Sequence, residues 1–490
     1  MPVFVAVPLL TAFLSVILGK IKEKYVKYLA VLAGMVLFVY ALISTLWIKN
    51  GPKIYPMGGW EPPFGICLEL DALSVLLLIV INFIGLMAIM YSWDYIEKRF
   101  NNEGFYYSLF FLLLTGLNGV VLSGDIFNIF VFLEIASIAS YALVAFGVEA
   151  EELEASFKYL VLGSIASMFI LLAIAMIWGS TSTLNMADVA RYLSLSENSR
   201  IIMFALALFI MGFGLKAGLV PFHTWLPDAH PSAPAPVSAM LSGVVIKTLG
   251  IYALVRIAFN IVGITSKISS IFMWLGIISM SIGVILAIGQ WDFKRLLAYH
   301  SISQIGYVIF GIGLGSPLGI VGGLFHLFNH SLFKSLLFLN AGAVEYATGS
   351  RRLEELGGLA HKMLFTSTTS LIASLSIAGI PPFCGFWSKL IIIIAAIEAK
   401  NIFGAGVCIL VSLITLASFL KVQTYAFLRS AKDKSGVKEV GRSLLFPMGI
   451  LALSCILVGL FFAPLIKFII EPAKDVLISG RDYIFWILGK

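Results

Sequence analysis

Charge is scarce in this 490-residue sequence: 12% of residues are Asp, Glu, Lys or Arg, against 60% hydrophobic. A soluble domain carries roughly 25% charged residues, so a water-exposed globular fold is excluded and an integral membrane protein is indicated. Cysteine is also rare. Cys67, Cys384, Cys408 and Cys455 are scattered without any CxxC spacing, which leaves iron-sulfur ligation and c-type haem attachment unsupported. The net charge of +7 comes from 33 Lys and Arg spread over the chain; no basic stripe or soluble domain is present to bind nucleic acid. The first apolar run, MPVFVAVPLLTAFLSVILGK, has no basic residue ahead of it and no small-residue cleavage site, so it is expected to stay as the first helix. GIGLGSPLG, at 311 to 319, is rich in glycine but follows no strand. It reads as a turn between two membrane helices, not as a nucleotide loop.

What the sequence does have is long apolar runs. They predict an all-α polytopic fold of about 14 transmembrane helices of roughly 20 residues each. Lys20, Lys22, Lys24 and Lys27 follow the first run, Arg351 and Arg352 the eleventh, and Arg429, Lys432, Lys434, Lys438 and Arg442 the thirteenth. By the positive-inside rule these odd-numbered loops face the cytoplasm, which places both termini outside a cell membrane. Helices one to three fill residues 1–92, with a long external loop, IKNGPKIYPMGGWEPPFGICLELD, whose Pro and Gly predict irregular structure. AGLVPF (217 to 222) then recurs as AGIPPF (378 to 383), and each is preceded by a Phe-Lys run, SFKYLVLGSIA and LFKSLLFLNAG. The echoes predict two five-helix units, 105–260 and 268–430, each with a helix interrupted at Pro221 or at Pro381 and Pro382. An odd number of helices per unit makes the copies inverted, the arrangement in which broken helices mark an ion path; the rival reading is chance recurrence of Gly-Pro kinks. Residues 443–490 hold helix fourteen and a tail, EPAKDVLISGRDYIFWILGK, too short to span and expected at the interface or on a partner.

Five charges fall inside apolar runs: Glu134, Lys216, Lys247, Lys334 and Lys389. A charge at the centre of a membrane helix costs about 2.5–3.5 kcal/mol on insertion scales, so such residues mark function by default. Glu134 and Lys216 have opposite signs and offset each other's desolvation if their helices touch, with a purely structural ion pair as the rival reading. A buried Lys shifts readily toward neutrality and can carry a proton. No matching set of intramembrane carboxylates exists for Lys247, Lys334 and Lys389, which predicts water along the bundle axis. His326, His330 and Lys334 recur at i, i+4 and i+8 on one helical face, a spacing suited to a proton relay; a metal at the two histidines lacks a third ligand nearby in sequence. His300, one helix earlier, either extends the relay or is a hydrogen-bonded core histidine. PFHTWLPDAHPSAPAP places His223, Asp228 and His230 beside Lys216, as a water-side proton intake or as groups satisfying the backbone of a helix break.

LKAGLVPFHTWLPDAHPSAPAPVSAMLSGVVIKTLGIYALVR, QWDFKRLLAYHSISQIGY, HLFNHSLFKSLLFLNAG, AGIPPFCGFWSKL and GDIFNIFVFLE, together covering most of the chain, resemble the antiporter-like subunits shared by complex I, Mrp-type sodium/proton antiporters and membrane-bound hydrogenases. GGWEPPFGICLELD resembles the Mrp D-type branch and its hydrogenase relatives. The resemblance implies 14 transmembrane helices, two inverted five-helix repeats, and broken helices seven and twelve. It also implies that Glu134 and Lys216 are the paired charges of helices five and seven, and that Lys247 is the helix-eight lysine. His326, His330 and Lys334 become the central relay, and Lys389 the helix-twelve exchange site, where some branches carry Glu. A long lateral helix after helix fourteen has no room here, which favours the D-type or hydrogenase-type branch.

The function expected is translocation of H⁺, Na⁺ or both, driven by partner subunits because no redox or catalytic site lies on this chain. The expected assembly is a hydrogenase- or complex I-type redox complex, with iron-sulfur and other redox centres only in the partners; the alternative is the D-type component of an Mrp antiporter. A solute transporter acting alone would need a midplane pocket, and a structural anchor would use the charges only to hold helices together. Aligning the two Pro motifs sets Lys389 opposite Asp228, not Lys216, so the two halves are expected to differ.

Overall fold

The computed structural model describes residues 1–100, 102–195, 200–430 and 436–489; Lys432 and Lys434 lie outside the described residues. Among the described residues, twelve helices are long and apolar enough to cross a membrane. Spans one to three are Val3–Ile21, Glu23–Asn50 and Ala72–Glu97. Spans four to eight are Glu103–Leu122, Ile126–Val144, Ala150–Thr181, Arg200–Ala217 and Ala235–Ile261. Spans nine and ten are Ser266–Ile288 and Phe293–Gly313, and Ile402–Leu428 and Arg442–Leu460 come last. Between these two groups lie the helix Pro317–Thr348 and the pair Leu364–Ala378 and Cys384–Glu398. Counted as spans eleven and twelve, they make the total consistent with the 14 expected, and the order is consistent with two five-helix units.

Helices satisfy their own backbone in hydrocarbon, which is why the chain uses them throughout. Several starts are set by side-chain caps: Asp71, Asp125, Thr265, Asp292, Ser316 and Asn401 accept from backbone amides at the first turns of spans three, five, nine, ten, eleven and thirteen. Span eight is buried along its length and span eleven almost so. Spans one and two instead expose Leu10, Phe13, Ile17, Leu32 and Leu46. The polar residues of spans eight, ten and eleven therefore line an interior, while the outer spans meet lipid or neighbouring chains.

Two backbone interruptions match the repeated Pro motifs. Span seven stops at Ala217, where Gly218 takes a φ of +69°, and resumes as the short helix Leu226–Ser232. Span twelve stops at Ala378, where Gly379 takes a φ of +82°, and resumes at Cys384. Glycine supplies this left-handed conformation without Cβ strain. Side chains bond the last-turn carbonyls at each break: the Trp225 indole donates to the Leu215 carbonyl at 2.9 Å, beside the Gly218 amide at 3.1 Å, and the Lys389 ammonium donates to the Ile377 carbonyl at 2.8 Å.

The loop between spans two and three is more ordered than its Pro and Gly suggest. Lys53–Pro56 pairs antiparallel with Cys67–Leu70, and all four residues of the second strand are buried. Strands this short carry too little alternation to be read from sequence. The tail folds back as Glu471–Ile478 and Arg481–Leu488; Tyr483 donates to the Glu69 carboxylate beside that hairpin at 2.8 Å, so the tail is held by its own chain.

Candidate functional site

Span five brings Glu134 within 3.7 Å of the Lys216 ammonium. Lys216 ends the first half of span seven and is buried, donating to Ser137 Oγ at 2.9 Å and to the Tyr141 hydroxyl at 3.3 Å. Ser137 and Tyr141 follow Glu134 at i+3 and i+7, so one helical face supplies all three groups. The Ser167 hydroxyl of span six donates to Glu134. The carboxylate keeps 30% of its side chain exposed against 2% for the lysine, so Glu134 is the member reachable from outside the bundle.

From this pair an aromatic row leads inward. Tyr141 lies edge-on to Tyr159 at 4.5 Å, Tyr159 stacks on Trp225 at 4.1 Å, and Trp225 meets the His230 ring at 6.0 Å. His230 then faces Phe338 at 5.6 Å, and the Lys334 ammonium sits 5.7 Å over that same ring. His230 is fully buried, and neither of its ring nitrogens has a hydrogen-bond partner within the chain. Lys247, in the π-helical part of span eight, turns toward the carbonyls of Ser242 and Gly243 at 2.6 and 2.8 Å.

The face of span eleven carries the row onward. His330 has no hydrogen-bond partner on either nitrogen, Lys334 none on its ammonium, and the His330 ring is near-parallel to that of His326 at 6.3 Å. His326 is held by Ser388 at 2.9 Å and Gln304 at 3.1 Å. Its ring lies 5.4 Å from Tyr307, and the Lys389 ammonium lies 4.9 Å from the other end of that contact, the Tyr307 ring. His300 bonds Ser418 at 2.8 Å and leaves Nδ1 unpartnered. Among the described residues, Lys247, Lys334 and Lys389 have no carboxylate within 4 Å, whereas Lys216 does. Nor is any group of three His, Cys, Asp or Glu side chains placed to hold a metal.

Of the three residues expected at the water side, the structure separates one. Asp228 lines a cavity of about 420 Å³ with Glu151, Lys158, Arg295 and Arg351, and is bound by Lys158 at 3.0 Å and Arg295 at 3.2 Å. His230 lies inward of it, two residues on. His223 sits half-buried in the turn of the break and lines neither this cavity nor its neighbour. Adjacency in sequence does not fix which side of a broken helix a residue takes.

The neighbouring cavity, about 300 Å³, contains a group not singled out from the sequence: Glu345 between Lys294 at 2.7 Å and Arg99 at 3.3 Å. Lys27, expected in a cytoplasmic loop, instead lies within span two, buried between Glu97 at 2.6 Å and Glu103 at 3.1 Å. Arg351 pairs with Asp292 at 2.5 Å and with Glu151, and donates to the Pro231 carbonyl at 3.1 Å. One end of the bundle thus carries a dense ion-pair network around the Pro231–Pro234 link.

Residues 123–415 match the family described as NADH:quinone oxidoreductase/Mrp antiporter, TM, and residues 58–106 match the N-terminus of chain 5 of NADH-ubiquinone oxidoreductase (complex I). The N-type component of the NADH-quinone oxidoreductase of Desulforudis audaxviator is 34% identical over 96% of this chain and 97% of its own. The D-type component of the Na⁺/H⁺ antiporter of Alkalihalophilus pseudofirmus is 34% identical over 93% of this chain and 92% of its own. A chain of the Mrp complex from Dietzia sp. superposes with a TM-score of 0.93 at 30% identity, covering 99% of this chain and 98% of its own. With its family match spanning more than half of the sequence and its relatives aligned nearly end to end, the chain belongs to the membrane-subunit family shared by NADH:quinone oxidoreductases and Mrp antiporters.

Proposed function

We propose that this chain translocates H⁺, Na⁺ or both across the cell membrane as the antiporter-like subunit of a membrane-bound respiratory redox complex of the hydrogenase or complex I type. The carrying observation is the row that joins Glu134 and Lys216, by way of the rings of Tyr141, Tyr159 and Trp225, to His230, and across Phe338 to Lys334, His330, His326 and Lys389. A stand-alone solute transporter would need a midplane pocket, and a structural anchor would not leave His230, His330 and Lys334 without partners. Buried polar groups without protein partners are satisfied by water, and water beside a neutral or protonated lysine is what a proton relay requires.

In this reading protons enter from the cytoplasmic end, past Asp228 to His230. The concentration of Lys294, Arg295, Arg351 and Lys27 at that end agrees with the positive-inside rule and leaves both termini outside. Glu134 sets the charge state of Lys216: when the carboxylate is near, the ammonium is favoured; when it is drawn away or neutralised, burial favours release. Lys247, Lys334, His330 and His326 pass the proton along, His300 borders the relay, and Lys389 exchanges it with the outside. The redox centres that drive the cycle belong to neighbouring subunits.

The similarity to the D-type component of an Na⁺/H⁺ antiporter and to a chain of an Mrp complex favours a second reading, in which the chain fills the same place in an Mrp assembly. Purifying the native assembly in mild detergent and identifying its chains separates the two. Redox subunits are expected; an assembly of Mrp-type subunits alone would move the chain to the second reading.

A further inference from the structure

Span eight carries a polar stripe outward from Lys247. Thr248 comes next in sequence, and Tyr252, Arg256 and Asn260 follow it at four-residue intervals, a spacing that keeps these four on one helical face; all four are buried. The stripe ends beneath the C-terminal tail, where Asn260 donates to the Val476 carbonyl at 2.7 Å and the Tyr483 ring lies 5.9 Å from the Arg256 guanidinium carbon. A buried lysine with a polar column between it and that end of the bundle has the outline of a proton path, even though its ammonium bonds back to the Ser242 and Gly243 carbonyls.

The hydrogen-bond directions contradict that outline. Arg256 donates inward to the Tyr252 hydroxyl at 3.2 and 3.3 Å, sideways to Asp71 at 2.6 Å and Ser74 Oγ at 3.2 Å, and outward to Asn260 Oδ1 at 3.4 Å. Tyr252 in turn spends its proton on the Val121 carbonyl at 2.7 Å. Proton hopping needs every member of a chain to accept on one side and donate on the other. A guanidinium only donates and keeps its charge at all physiological pH values, so Arg256, donating both inward and outward, interrupts any such chain. Asp71 offers no detour: one carboxylate oxygen accepts from the Ser74 amide at 2.8 Å and hydroxyl at 3.0 Å, and the other takes the guanidinium. A fixed arginine is also an electrostatic barrier to a passing proton.

The outer flank of the second unit is built differently. Residues 384–415 contain no arginine; beside Lys389 the Tyr307 hydroxyl donates to the Cys408 carbonyl and meets Ser412 Oγ at 3.0 Å, so what distinguishes this flank is the absence of a fixed guanidinium, with a serine hydroxyl that can both accept and donate in its place.

We propose that the Arg256–Asp71 pair is a seal that denies Lys247 access to the outer surface, so that protons on the first unit leave only sideways, toward Lys334 and the second unit. This rests on the ion-translocation reading above. The test uses sealed membrane vesicles carrying the full assembly, given a pH step without any driving reaction, with its decay followed by a pH-sensitive dye. The double variant Arg256→Met/Asp71→Asn removes both charges while Asn still caps span three; its passive proton leak should rise severalfold. Arg256→Lys, a cation beside Asp71 that can release its proton, should leak more than the native chain and less than the double variant, and adding Lys247→Met to the double variant should restore tightness. A double variant as tight as native overturns the proposal, and so does a leak that survives Lys247→Met, which marks a packing defect. Should the double variant fail to assemble, Arg256→Gln with Asp71 retained takes its place with the same expected leak and the same overturning result. Driven pumping by Lys247→Met alone, in the same vesicles, tests the translocation reading separately: unchanged pumping removes that reading whatever the leak.

Discussion

Residues 105–260 and 268–430, expected as two five-helix units, each contain a broken helix but treat their lysines in opposite ways. At the first, Lys216 has a carboxylate 3.7 Å away and two hydroxyls as acceptors. At the second, Lys389 has only a backbone carbonyl at 2.8 Å and the face of Tyr307 at 4.9 Å. The first break resumes into Pro227 and Asp228, which line the charged cavity; the second resumes at Cys384 and runs on through the apolar Leu390–Ile394. A repeated fold thus supplies two helix breaks of similar shape, and the side chains set beside each decide whether a lysine is held charged or released. Under the proposed function, one half loads and the other discharges.

Removing what distinguishes the first unit should have the largest effect. Glu134→Ala leaves Lys216 buried beside hydroxyls alone, and breaking a buried pair from one side costs about 3–5 kcal/mol when the charge persists. The lysine should turn neutral and ion pumping should be abolished with the assembly intact, measured by dye quenching in vesicles; normal pumping would remove the pair from the mechanism. Glu134→Asp, which keeps the charge and loses reach, should retain part of the activity.

A smaller effect is expected where the two units meet. His330→Ala should slow pumping without changing assembly or electron transfer through partner subunits, because His326 and Lys334 remain on the same face. Parallel loss of assembly and pumping would show that the histidine is structural.

The smallest expected change lies at the hairpin between spans two and three. Burial pushes the Glu69 carboxyl up to about 7 from an ordinary value near 4.5, with Arg256 pulling the other way and Asp71 adding to the rise. Between those values the unfolded chain gives up this proton while the folded chain keeps it, so the contribution to stability falls as pH rises through that window and is level above it. Glu69→Gln should therefore flatten the fall of the thermal midpoint between pH 4.5 and 7 in detergent. An unchanged slope would show that another group sets it.

Much of this organisation is legible in the sequence because hydrocarbon leaves few options: apolar runs must be helices, and charges within them must be near partners or water. Glu134 and Lys216 could be matched by sign, and His326, His330 and Lys334 by their four-residue spacing. Ser137 and Tyr141 were open to the same spacing argument from Glu134, whereas Ser167 reaches the site from another span and carries no sequence signal. Arg256 stands near the end of an apolar run and Asp71 at the end of a loop; nothing local announces that they pair across the outer face. His223 and His230 differ by seven positions, yet the break sends one to a half-buried turn and the other to the core.

The asymmetry of the units is tested most directly by Lys389→Met in sealed vesicles with confirmed assembly, reading net ion translocation together with proton uptake from the cytoplasmic side. Net translocation should stop while uptake at Lys216 persists, and Lys389→Glu should recover part of the flux. Unimpaired net pumping by the Met variant, or loss of uptake together with pumping, would contradict a chain that loads at the first break and discharges at the second.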